Sequence, residues 1–261
     1  MGKFFSVDAN PDCIGGAVAN NNGTDDVGAG DIIFNWTALD VPNGTSMLRS
    51  ILAVANGEDG AIAGSAVDIE ILFAKSIDGV APPSLGVINA APTVNGTNSW
   101  SKHLVGAYRL ESAAGDGTLG KLPFRVVYSA AGQGADSNLG FQSIMDTEPN
   151  TGTNIGFGKL YIAGILASAR NYGTNVLADG AVDASSAGST TITVKTGDAR
   201  KIFNVGDQVY VMDLDTPIPG ILTKVEDVTL TFSEANTTVD IADGDELLNA
   251  NPFKIKLGFE Q

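Results

Sequence analysis

The sequence predicts an all-β fold, a jelly-roll-like β-sandwich plus a small antiparallel β-barrel domain. Three observations predict it. Short apolar runs alternate with polar residues, as in Val67 to Ala74, where Val67, Ile69, Ile71 and Phe73 share one face opposite Asp68 and Glu70. Turn residues punctuate these runs, and glycine alone supplies 32 of the 261 residues. Only 17% of the chain is charged, too little to lay out long amphipathic helices, while 43% is hydrophobic and can fill a core.

Residues 1–30 are rich in Gly, Asn and Asp and offer little beyond Phe4, Phe5, Val7 and Ile14 to bury. They read as an extended, irregular N-terminal arm, free to pack on a neighbouring subunit. The sandwich is expected over residues 31–172. Asp31 to Thr37 is its first strand. Thr45 to Asn56 is a longer one, because no helix cap or charge pairing supports a helix there. Val67 to Ala74 follows, ended by Pro82 and Pro83. His103 to Glu111 and Pro123 to Ser129 are two further strands joined by the Gly-rich loop Gly115 to Gly120, and Lys159 to Ser168 is another.

The barrel is expected over residues 173–249. Thr190 to Lys195 leads into Phe203-Asn204-Val205-Gly206-Asp207-Gln208-Val209-Tyr210-Val211, where Val-Gly-Asp turns the chain between strands. A Pro/Gly break at Thr216 to Gly220, the strands Ile221 to Val225 and Val228 to Phe232, and the turn Asp243-Gly244-Asp245 complete it. Residues 250–261 hold a last alternating strand, with Phe253, Ile255, Leu257 and Phe259 on one face and Lys254 and Lys256 on the other. This C-terminal strand is expected to rejoin the sandwich beside Lys159–Ser168, which would make the barrel an insertion. A barrel simply appended to the sandwich is the equal alternative.

The formal net charge is −15, and the acidity is divided almost evenly between residues 1–170 and 171–261, so it is not a tail. An acidic surface repels phosphate, which argues against nucleic acid and against a membrane surface as partners. No apolar run approaches a membrane span. The single cysteine, Cys13, allows no intrachain disulfide and suits assembly in a reducing cytoplasm. The N-terminus lacks the apolar core of a signal peptide. The sequons at Asn22, Asn35, Asn43, Asn95 and Asn236 are therefore read as chance matches.

Each motif that could carry chemistry fails on its surroundings. Gly115-Asp116-Gly117-Thr118-Leu119-Gly120-Lys121 imitates two phosphate-binding patterns, but both need a helix behind the glycines. Here a strand follows, and Leu122 stands where a phosphate loop needs Ser or Thr. His103 is the lone histidine, so no catalytic or metal pair of histidines can form. Cys13 has no basic neighbour to make it a thiolate. Asp8-Ala9-Asn10-Pro11-Asp12 begins like a calcium loop, but Cys13 replaces the required Gly and Ala19 the closing Glu. Asp213-Leu214-Asp215 and Asp240 to Glu246 are denser acidic clusters, read as turn chemistry before calcium. No pair of carboxylates is marked for glycoside hydrolysis. Trp36 and Trp100 are read as core or interface before sugar platforms. No catalytic, cofactor or metal residue is therefore assigned, no cofactor is expected, and the protein is not expected to be an enzyme.

The run Asp31-Ile32-Ile33-Phe34-Asn35-Trp36-Thr37 to Ser46–Ile51, with Val67 to Lys75 and Ala81-Pro82-Pro83-Ser84-Leu85-Gly86, is similar to structural proteins of marine tailed phages, including cyanophages. The Phe203–Val211 and Ile221–Phe232 pattern resembles small barrel modules of phage virion proteins. The resemblance implies a virion component and transfers no functional residue. The leading expectation is a capsid decoration, or cement, protein on the outer surface of the head. It would bind across subunits of the major capsid protein as a homo-oligomer, a trimer before other forms. The alternative is a receptor- or glycan-binding module of a phage tail or fibre.

Overall fold

The computed structural model describes residues 2–13, 27–42, 45–55, 69–93, 100–110, 117–119, 122–128, 143–146, 158–168, 175–178, 188–211, 216–236 and 239–261. The described residues hold strands and 3-10 turns and no α-helix. In chain order the strands are β1 (Phe4–Ala9), β2 (Ile32–Asp40), β3 (Thr45–Ala55), β4 (Ile69–Lys75), β5 (Leu104–Leu110), β6 (Gly117–Leu119), β7 (Leu122–Tyr128), β8 (Ser143–Asp146) and β9 (Lys159–Leu166). There follow β10 (Asn175–Ala178), β11 (Thr191–Thr196), β12 (Val209–Val211), β13 (Thr216–Pro217), β14 (Leu222–Val225), β15 (Thr229–Phe232), β16 (Glu246–Asn249) and β17 (Phe253–Glu260). The protein is all-β, and every strand pair is antiparallel.

Two sheets face each other across one core. The six-stranded sheet runs β1-β17-β3-β7-β6, with β8 also on β3, and the four-stranded sheet runs β2-β9-β4-β5. Leu48, Ile51, Ala53, Phe253, Ile255, Leu257 and Phe259 from the first meet Phe34, Ile69, Ile71, Phe73, Leu110, Leu160 and Ile162 from the second. The alternation read from the sequence is what builds this layer, since every second residue of β17 points into it. The close approach leaves no room at Gly164 in β9, where an added Cβ would collide with the Phe34 ring and lie 2.8 Å from Ile69 Cδ1.

The four-stranded sheet is buried on its outer face too. Ile32, Leu72 and Ala163 lie there beneath Leu85 and Ile88, with half-buried Trp36 and Trp100 alongside. Cover on both faces explains why β9 reads as a nearly continuous apolar run, and why the alternation of β4 gives way to buried Leu72 and Ala74 on its second face.

The seven-stranded sheet, β13-β12-β16-β10-β11-β15-β14, takes all its strands from residues 175–249. It wraps its own core of Ile192, Val194, Phe203, Val209, Val211, Leu222, Leu230, Phe232, Ile241 and Leu247. Backbone bonds from Gly206 N to Leu222 O (2.7 Å) and from Leu222 N to Asp207 O (2.8 Å) draw the two ends of the sheet together. Gly206 makes the turn possible, because its φ of +94° is unfavourable for residues with a side chain.

Three expectations are corrected. Within the segment expected to be an irregular arm, Phe4–Ala9 is a regular edge strand on β17, with Phe5 stacked on its register partner Phe259 at 5.1 Å. The last strand does not lie beside β9. It is central in the six-stranded sheet, between β1 and β3, while β9 sits in the opposite sheet. The Gly-rich stretch is not one loop between two strands of a hairpin. Gly117–Leu119 is itself a strand paired with β7, whereas β5 belongs to the other sheet.

Candidate functional site

The side chains singled out for chemistry are scattered, and their neighbours explain most of them. His103 is buried at the end of a 3-10 turn, and its Nδ1 bonds the Lys75 carbonyl at 2.9 Å. A carbonyl only accepts, so Nδ1 carries the proton and the ring fastens the end of β4 to the start of β5. Cys13 is buried, its Sγ 3.7 Å from the Pro11 carbonyl. Desolvation, reinforced by Asp12, pushes its thiol well above the ordinary range, the opposite of what a nucleophile needs.

The acidic groups behave as turn and surface chemistry. Asp213 and Asp215 lie outside the described residues. In the second cluster, Asp245 Oδ2 accepts the Ala242 amide at 2.6 Å, and Asp243 pairs with Lys195 at 2.7 Å. Asp198 caps a 3-10 turn and holds Arg200 in two side-chain bonds of 2.9 and 2.8 Å, which lowers the Asp198 pKa. Among the described residues no group of three or more His, Cys, Asp or Glu converges as metal ligands would. Two of the sequon asparagines are committed to the fold. Asn236 is buried, with its amide bonded to Val239 on both sides, and Asn35 is tied down as described next.

Asn35 and Trp36 build a well-bonded surface feature. The Asn35 amide donates to Ser84 Oγ (2.7 Å) and to the Gly86 carbonyl (2.8 Å), while its oxygen accepts the amides of Leu85 (3.1 Å) and Trp36 (3.0 Å). The Trp36 indole donates to the Pro83 carbonyl at 2.8 Å. Two sequence runs about fifty residues apart, Asn35-Trp36 and Pro83–Gly86, are thereby stapled together. Beside them opens a cleft of about 420 Å³ lined by Asp12, Asn35, Trp36, Thr37, Gly86, Val87 and Ile88. The Asn35 side chain and the indole N–H are already engaged, and the Thr37 hydroxyl donates to the Asn35 carbonyl at 3.3 Å, so the cleft presents the half-buried Trp36 ring among polar groups that already have partners. That set suits stacking on a flat ligand face and holds no nucleophile paired with a base. Trp100, the other tryptophan, has its indole nitrogen buried without a hydrogen-bond partner.

A second cleft, of about 320 Å³, lies where the two bodies meet. Leu52 and Val54 of β3 and Lys254 and Lys256 of β17 line it, together with Asp8 of β1 and Val205 from the barrel turn. Its charges are matched, Lys256 with Asp8 at 3.3 Å and Lys254 with Asp207. Sequence reasoning missed this junction, because the partners in it are distant along the chain. Comparison with protein-family models, with curated proteins and with solved structures finds no match to the chain.

Proposed function

We propose that this protein is a virion structural component, a decoration protein that binds across subunits of a phage capsid from outside. One observation carries the reading. Numbered one to eight along the chain, strands β1, β2, β3, β4, β5, β7, β9 and β17 lie in the order 1-8-3-6 in one sheet and 2-7-4-5 in the other. With β6 and β8 left aside, that order fits the double Greek key of a jelly roll, an architecture of viral capsid and lectin domains. The barrel sits between strands seven and eight of this count, so it projects from a strand connection and leaves both sheets intact. The chain's charge of −15 suits a part held away from packaged DNA. Modest contacts to several capsid subunits at once would add to firm attachment.

The test is where the protein sits and how many copies a particle holds. Decoration predicts density on the outer capsid surface and hundreds of copies per virion by quantitative mass spectrometry. A few copies confined to the tail would overturn it. The Trp36 cleft favours a second reading, a receptor- or glycan-binding module of a tail or fibre. A glycan array with purified protein, in which binding is lost on Trp36→Ala, would select that reading.

A further inference from the structure

The C-terminal connection between barrel and sandwich is unlike an ordinary linker. Domain linkers are exposed, flexible and crossed by few contacts. Here every residue from Leu247 to Phe253 is buried. Their polar groups are all the more in need of partners, and they have them.

Asp207 is the centre of the arrangement, with no exposed surface. Its Oδ2 accepts the amide of Asn204 and the side-chain amide of Asn249, each at 2.8 Å. Its Oδ1 pairs with Lys254 Nζ, which reaches across from β17 of the sandwich. Asn249 also donates to the Ile202 carbonyl at 2.7 Å and accepts the Asn251 amide at 2.7 Å. Asn251 then connects three segments. Its oxygen accepts the Gln208 amide of the barrel at 2.8 Å, and its nitrogen donates to the carbonyls of Asn10 (3.3 Å) and Pro11 (3.1 Å). The Cys13 amide donates to the Ala250 carbonyl at 2.9 Å, and the Ala250 amide to the Gln208 carbonyl at 3.0 Å.

We infer that these groups form a latch fixing the barrel's orientation on the sandwich, with the N-terminal segment Asn10–Cys13 as its strap. Buried, mutually satisfied polar networks specify one geometry, because any other leaves a buried charge or amide unpaired. The strap is the stretch of chain that directly follows edge strand β1. The latch stands whether or not the protein belongs to a virion.

The test uses the full chain in a Cys13→Ala background, spin-labelled at Lys102→Cys on the sandwich and Val228→Cys on the barrel, both exposed positions. With the latch intact, the label-to-label distance should be a single narrow distribution. In Asp207→Ala combined with Asn251→Ala it should broaden or split, and the same narrow distribution in that folded double variant would overturn the latch. Asn251→Ala alone, read by amide hydrogen exchange, keeps the question decidable if the double variant does not fold. The Cys13 amide, which Asn251 does not touch, should exchange about tenfold faster as the strap lifts. Faster exchange at Gln208 with Cys13 unchanged would mean that only a local bond was lost, and would overturn the strap.

Discussion

At the residue scale, burial decides which polar groups matter, and burial is what a sequence shows least. Asp207 looks like one more turn aspartate within Val-Gly-Asp, yet it is the fully buried member of an ion pair whose cation lies 47 residues on. Nothing local marks it, because its partner comes from another body of the fold. Cys13 was legible as a structural thiol because no basic residue stands beside it in the sequence, and it makes a prediction about pH. Burial and the nearby Asp12 raise its pKa in the folded state, while the Phe253 amide and Lys254 lower it by less. The folded protein therefore holds the thiol proton to higher pH than the unfolded chain does. The stability due to the neutral thiol is fully present below the unfolded pKa of about 8.5, and is lost as pH rises from there toward the raised folded value. In urea titrations, the advantage of the parent protein over Cys13→Ala should shrink as pH is taken from about 8 to about 10. A difference between the two that stays constant over that range would contradict the assignment.

At the element scale, alternation told which segments are strands and which face is buried, but not which strands pair. β17 was read residue by residue, down to Phe253, Ile255, Leu257 and Phe259 sharing the core face, and all four are buried. Its neighbours were misplaced because pairing over some 200 residues leaves no trace in a local period. β1 was missed for another reason. An edge strand is half covered, and Phe4, Ser6 and Asp8 face water, so its apolar signal is thin against the Gly and Asn that follow. The central position of β17 has a measurable consequence. Leu257 is completely buried between β1 and β3, where no neighbouring strand can shift without losing its ladder. Leu257→Ala should cost about 2–5 kcal/mol in urea unfolding, the range for large-to-small changes in closed cores. Lys256→Ala, one residue away on the open face, should stay within roughly 1 kcal/mol, since its pair with Asp8 is exposed. Equal costs at the two positions would show that β17 is not buried as described.

At the scale of the whole molecule, the question is how far the barrel is a body of its own. Among the described residues its core comes from positions 192–247 and includes none from either sandwich sheet. Self-contained burial of that kind predicts that a fragment of residues 173–249 folds alone. The fragment is short, and domains of that size bury a smaller share of their surface, so its margin should be thin. It also leaves behind Asn251, Lys254 and the Asn10–Cys13 segment, but Asp207 keeps its bonds to the Asn204 amide and the Asn249 side chain. The missing contacts are a handful of hydrogen bonds, each worth about 1 kcal/mol net. In the full chain the barrel should therefore resist urea by roughly 2–4 kcal/mol more than the isolated fragment does. Two-dimensional NMR of barrel amides through a urea titration reads both values from the same probes. A fragment without a cooperative transition would mean that the sandwich supplies part of the barrel's core. Equal stability in fragment and full chain would mean that the junction bonds fasten the barrel without strengthening it.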